Sequence, residues 1–154
     1  MFSERIRMGA IDQITGARIV TRRRLEWADT DAAGHNHFSV AFRWMEEVEH
    51  ELRRSTGLPT DLTGGIPRVH IEVDYLDRIW FGEEVDITMG VADVGRTSCR
   101  FVWAIERVGG KRNLLMQGNH VVVHSPDAQG GAVPWPQRVR TALMGQEPLE
   151  QLDR

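Results

Sequence analysis

The chain has 154 residues, of which 41% are hydrophobic and 27% charged, with a formal net charge of −3. This length suits one domain with its own core, and the composition excludes a disordered tail or a collagen-like repeat. The charge offers nothing global to nucleic acid or an anionic membrane, no apolar run reaches the roughly 18 residues that span a bilayer, and a lone Cys99 makes no internal disulfide, so a cytoplasmic protein without nucleic-acid or membrane partners is expected.

Between residues 18 and 27, Ile19, Leu25 and Trp27 occupy odd positions of a half-buried strand, whose faces cannot hold Arg22, Arg23 and Arg24 together. The polar run DTDAAGHNH then leads into a helix beginning near Phe38 or Ser39. Its apolar stripe is Ala41, Met45, Val48 and Leu52, widened by Phe42 and Trp44, and Gly57, Leu58 and Pro59 end it after about 17 residues.

The remainder reads as β structure. Val69, Ile71, Val73 and Tyr75 alternate with polar residues, as do Val85, Ile87, Met89 and Val91. Cys99, Phe101, Trp103 and Ile105 make a third row, and residues 114–125 form the last long strand. Gly95 and the Gly109-Gly110 pair are expected to supply positive φ angles at two hairpins, making an antiparallel meander of the last three strands. Pro136 at N1 opens a short terminal helix, about 136–144. The layout is α+β, one long helix with a five-stranded antiparallel sheet in a single domain over residues 1–154 and a core at about 18–126. One helix covers one face of such a sheet, and a second subunit is the simplest protection for its edge.

The segment LEWADTDAAGHNHFSVAFRWMEEVEHELRRSTGL resembles the opening of the hot-dog-fold acyl-CoA thioesterases of the 4-hydroxybenzoyl-CoA thioesterase type. Asp29, Asp31 and Gly34 match that family's D-x-D-x-x-G, and Arg43-Trp44 with its acidic sequel matches its helix. VDYLDRIWFGEEVDI, DVGRTSCRF and VPWPQRVRTAL resemble later landmarks, so the likeness runs from residue 20 to 144. It departs from the usual pattern at His35, Asn36, His37, Phe38, Ser39 and Ala41, which bears on the acyl pocket. The resemblance implies a hot-dog fold, a central helix wrapped by the sheet, assembled as a homodimer or homotetramer, hydrolysing an acyl-CoA thioester to a carboxylic acid and free CoA.

A thioester carbonyl needs a nucleophile or activated water, and donors for the oxyanion that develops. Asp31 lies just before a helix whose first N–H groups lack internal partners, although an aspartate there also serves simply as a cap. The resemblance assigns Asp31 as the catalytic carboxylate and the Phe38 backbone N–H to the carbonyl oxygen. Asp29 reads as a turn-stabilising residue. His37 either assists by orienting water or is a polar turn residue, and Glu46 or Glu49, near the edges of the stripe, is the reserve base within a helical charge run. Arg96, Thr97 and Ser98 offer a guanidinium, two hydroxyls and turn amides to the phosphates of CoA. Trp80, Trp103 and Trp135 read as packing residues, and His70, His120 and His124 as structural ones. No metal or separate cofactor is implied, CoA being part of the substrate. The rivals are a hot-dog dehydratase or hydratase, whose Asp-x4-His spacing fails here by one residue either way, and a non-catalytic acyl-CoA binding protein.

Overall fold

The computed structural model describes residues 9–57, 65–109 and 113–146. Its strands are β1 (Arg18–Arg24), β2 (Arg68–Tyr75), β3 (Glu84–Val94), β4 (Ser98–Arg107) and β5 (Leu114–Val123). Helix α1 (Val40–Ser55) lies between β1 and β2, and α2 (Gln137–Leu143) follows β5. The strands form one antiparallel sheet in the order β1-β3-β4-β5-β2. The fold is α+β, and β3, β4 and β5 form the expected meander. Strand β2 crosses to the outer edge beside β5 instead of pairing with β3.

The 3.6-residue stripe of α1 faces the sheet as its spacing requires: Ala41, Trp44, Met45, Val48 and Leu52 are buried. They meet the period-two rows of β3 and β4, including Ile87, Met89, Phe101, Trp103 and Ile105. Each such side chain contributes about 1.5–3 kcal/mol by leaving water. Trp103 opposes Gly118 across β4 and β5, where an added Cβ would lie 2.5 Å from the indole and 2.3 Å from the Glu72 carbonyl oxygen. Glycine there makes room for the ring.

The sheet's other face is covered by the chain's own N-terminal segment. A 3-10 turn at Ala10–Gln13 lies against it, Gln13 accepts from Arg100, and Ile14 fills the space above Gly90. This explains why Val102 and Ala104 are as buried as their neighbours.

Several local expectations are corrected. β1 ends at Arg24, and Trp27 belongs to a 3-10 turn, Trp27–Asp29, with 78% exposure. The three arginines divide by face as pleating demands: Arg22 pairs with Asp86 of β3, and Arg23 with Glu51 of α1. Val69, Ile71 and Tyr75 remain exposed because β2 is an edge strand. Gly95 has no positive φ, and its lack of a side chain answers Ser98 Oγ, 2.7 Å from where a Cβ would stand. Gly109, at φ +106°, and Gly57, at φ +74°, do take the left-handed conformation. Leu58, Pro59 and Gly110 lie outside the described residues. α1 starts at Val40, and Pro136 is the N-cap of α2, one position before N1.

Candidate active site

The loop between β1 and α1 is held at three places. At its entry Leu25 is fully buried, its N–H donating to Glu83 O at 2.9 Å while its carbonyl accepts from Gly82 N–H at 2.9 Å. At its middle Asp29 is 5% exposed and accepts from the Glu26 N–H and from Arg43 of α1. The Asp29 carbonyl takes the His37 N–H at 2.8 Å, so this one residue joins both arms of the loop. Asp29 is thus a buried anchor more than an ordinary turn residue. At its exit Asn36, also buried, exchanges two hydrogen bonds with Ile79 in the segment between β2 and β3.

Between these anchors Asp31 begins a tight turn. Its N–H donates to His35 O at 2.9 Å, its carbonyl accepts from Gly34 N–H at 3.1 Å, and its Oδ1 accepts from Ala33 N–H at 2.8 Å. Gly34 sits at φ +86° with nothing within 4 Å of an added Cβ, so backbone conformation, not crowding, makes the position glycine's. Asp31 Oδ2 lies 3.6 Å from His35 Nδ1, and the His35 ring meets Trp80 edge-on at 5.6 Å.

The start of α1 is capped in an unusual way. Ser39, the N-cap, makes no side-chain cap bond, and its own N–H donates to His37 Nδ1 at 3.2 Å. The same Nδ1 lies 2.8 Å from Ser39 Oγ, so the His37 ring is tied to the N-cap residue through this one nitrogen. Among the described residues the Phe38 N–H finds no acceptor. Asp31, His37 and Phe38 line one open cleft of about 400 Å³. Asn36 and His35 complete its near wall, while Tyr75, Asp77 and Arg78 reach it from the end of β2. A carboxylate and an unused backbone donor at a helix N-terminus thus share a space large enough for an acyl group.

Other sequence-derived positions lie elsewhere. Glu46 is exposed on α1, 3.8 Å from Arg68, and does not line the cleft. Arg96, Thr97 and Ser98 form the turn after β3, whose other end adjoins the cleft segment. Eleven residues of strand separate them, about 35 Å within one chain. Trp103 and Trp135 are buried, but Trp80 is 46% exposed. His120 and His124 are buried within or beside β5, and His70 is exposed.

Glu49, the other reserve base, lies instead in a buried charge cluster whose partners the sequence did not reveal. Glu49 is 2% exposed, and His120 Nε2 and Arg68 Nη2 each donate to its Oε2 at 2.8 Å. Arg53 Nε lies 3.5 Å from Oε1. Burial alone would raise the Glu49 carboxyl. The His120 hydrogen bond and the charges of His120, Arg68 and Arg53 outweigh it and hold the group below the usual carboxylate range. This cluster belongs to the core and stands apart from the cleft-lining residues.

A helix whose N-terminal turn carries the cleft, embraced by a five-stranded antiparallel sheet, defines a hot-dog protein. The description "thioesterase-like superfamily" fits residues 25–143, and the chain belongs to that family. It is 28% identical over 89 residues to a 1,4-dihydroxy-2-naphthoyl-CoA hydrolase of Prochlorococcus marinus strain NATL2A, a match covering 50% of this chain and 57% of that relative's length. Among solved structures it resembles a gentisyl-coenzyme A thioesterase at 25% identity and a TM-score of 0.70, over 81% of this chain and 98% of the other. The 4-hydroxybenzoyl-CoA thioesterase of Pseudomonas sp. strain CBS-3 shares the fold at 20% identity and a TM-score of 0.74, over 82% and 99% of the two chains. Among the described residues no helix is long and apolar enough to cross a membrane.

Proposed function

We propose that this protein hydrolyses an acyl-CoA thioester to a carboxylic acid and free CoA, with an aryl, hydroxyl-bearing acyl group as the favoured class. One observation carries the reading: the Asp31 carboxylate and the acceptor-free Phe38 N–H line the same cleft at the start of α1. Either Asp31 adds to the carbonyl carbon, or it takes a proton from a water that does so. In both routes the negative charge moves onto the carbonyl oxygen, where the Phe38 N–H and the helix N-terminus stabilise it. The C–S bond then breaks, and CoA leaves as thiolate. On the first route a water subsequently cleaves the acyl-aspartyl anhydride and restores Asp31. His37, which lines the cleft and is tied to Ser39 through Nδ1, assists at the leaving sulfur or the entering water. No cofactor enters beyond the CoA of the substrate, and the compartment is cytoplasmic, where CoA esters are made and Cys99 stays reduced.

The acyl class draws on the similarity to the dihydroxynaphthoyl-CoA and gentisyl-CoA enzymes and on the donors and acceptors that line the cleft. The active unit is a homodimer or a homotetramer. Arg96, Thr97 and Ser98, too far along β3 to reach their own chain's Asp31, hold CoA phosphates for a neighbouring copy. A second reading, a hydratase acting on an enoyl-CoA, rests on the 3.6 Å approach of His35 to Asp31. A thiol-release screen over aryl, short-chain and medium-chain acyl-CoAs tests the proposal. Thiol release from hydroxyaryl-CoA supports it, whereas hydration of enoyl-CoA without thiol release overturns it.

A further inference from the structure

The cleft contains a group whose position in sequence gives no hint of its contact. The Tyr75 hydroxyl, at the end of β2, donates to the Phe38 carbonyl oxygen at 2.7 Å. Phe38 precedes α1 and lies outside the helix ladder, and its ring is 63% exposed. That ring meets His37 at 4.7 Å and Phe42 at 6.5 Å between centroids, both beside it on the same stretch of chain. Packing therefore does little to fix this backbone, and hydrogen bonds must. Other bonds of this stretch stay within the loop and the helix start: His37 N–H to Asp29 O, Val40 N–H to His37 O, and the contacts of His37 Nδ1 with the Ser39 N–H and Oγ. Tyr75 supplies the bond that ties Phe38 itself to the sheet.

The two peptide groups of Phe38 share its Cα. The Phe38 N–H shares its peptide with the His37 carbonyl, which accepts from Val40 N–H at 3.1 Å, and the Tyr75 bond holds the next peptide, so the two together restrict the rotations that aim the N–H. A donor for a developing oxyanion acts best when its direction is set before reaction begins, because no reorganisation is then needed in the transition state. The hydroxyl, not the ring, is the part of Tyr75 that does this, since the residue is 45% exposed and contributes little packing.

We propose that Tyr75 is a positioning residue, which orients the Phe38 N–H toward the substrate carbonyl by anchoring the Phe38 carbonyl to the edge strand. This rests on the thioesterase reading of the cleft and extends it to a residue 37 positions away in sequence. Because the bond matters to the transition state more than to substrate binding, its removal should fall on kcat.

The test is Tyr75→Phe, which keeps the ring and removes the donor. With the acyl-CoA that the wild type hydrolyses best, kcat should fall roughly tenfold, less than the loss of an entire oxyanion donor, while KM stays within about twofold. The melting temperature should move by no more than about 2 °C, and the Phe38 amide should lose order in ¹⁵N relaxation. An unchanged kcat with an active wild type overturns the positioning role alone, as does a lower kcat that comes with a large loss of melting temperature. A wild type that releases no thiol from any acyl-CoA overturns the thioesterase reading and this role together, so the two failures are distinguishable.

Discussion

Asn36 and Ile79 hold each other by two hydrogen bonds, the Asn36 N–H to the Ile79 carbonyl at 2.8 Å and the Ile79 N–H to Asn36 Oδ1 at 2.9 Å. The pair joins the loop before α1 to the segment entering β3, and both residues are buried. Asp31 and Phe38 flank Asn36 in sequence, so the geometry of the cleft depends on this clasp.

Replacing Asn36 with Ala leaves the Ile79 N–H buried without an acceptor, a loss of about 1–3 kcal/mol. The expected result in urea titration is a lower midpoint with an unchanged slope, accompanied by slower thiol release. A midpoint equal to that of the wild type would show that water replaces the side chain at no cost.

Asp31→Asn should lower the rate of thiol release by about two orders of magnitude or more with little effect on stability, because the amide preserves shape but neither attacks nor accepts a proton well. Asp31 is partly exposed, which is why its fold contribution is small. Asp29→Asn acts in the opposite sense: it weakens the hold of the buried Asp29 carboxylate on the half-exposed Arg43 and on the Glu26 N–H, so it should reduce stability while retaining more activity than Asp31→Asn. Finding the two phenotypes exchanged would move the catalytic role to Asp29.

Much of this layout is legible in the sequence, for reasons that also mark where it stops. The α1 stripe and the rows on β3 and β4 appear because burial imposes periods of 3.6 and 2 on residue choice. Such periods say which side chains share a face without saying what faces them, so the edge position of β2 and the cover supplied by residues 9–16 were hidden. Asp31, His37 and Phe38 were readable because they are neighbours in the chain. Tyr75 and Arg78 come from a distant strand end, and nothing local distinguishes Tyr75 from the rest of its alternating row. Glu49 reads from the sequence as a reserve base near the stripe edge, and its place four residues after Met45 and three before Leu52 does set it on the buried face, but its partners Arg68 and His120 come from β2 and β5, which no local spacing reveals.

Glu49 makes a prediction about acid. Its carboxyl lies below its ordinary value of 4.5 in the folded protein, so the unfolded chain binds the proton more readily. The stabilisation is therefore fully present above about pH 4.5 and is lost as pH falls through the lower folded value. Glu49→Gln should cost about 3–5 kcal/mol at neutral pH, since it leaves buried cations without their counter-charge, and should flatten the decline in stability below pH 4.5. Urea midpoints for both proteins between pH 6 and 3 give the comparison. Parallel curves would remove Glu49 from the acid response.

The outer edge of β2 provides the last prediction. Strand β2 pairs with β5 on one side, and among the described residues no strand adjoins its other side. Val69 and Ile71 are 59% and 39% exposed there, followed by exposed Tyr75, an apolar row on an edge strand, with exposed Leu76 just beyond its end. An edge of this kind attracts another strand unless something blunts it, and the polar residues between these positions include Glu72 and Asp74 but no proline. A second copy meeting β2 in antiparallel fashion would extend the sheet and cover the apolar row, and it would bring the cleft end near Tyr75 to the junction. The double substitution Val69→Lys with Ile71→Lys puts like charges at that junction and should convert a dimer or larger particle to a single chain in light scattering, with the strand content retained in circular dichroism. On the proposed reading, in which a neighbouring copy supplies the CoA-holding hairpin, activity should fall with the assembly. A wild-type particle of one chain at micromolar concentration with full thiol release would refute the shared site, and an unchanged particle mass in the double variant would place the contact on another surface.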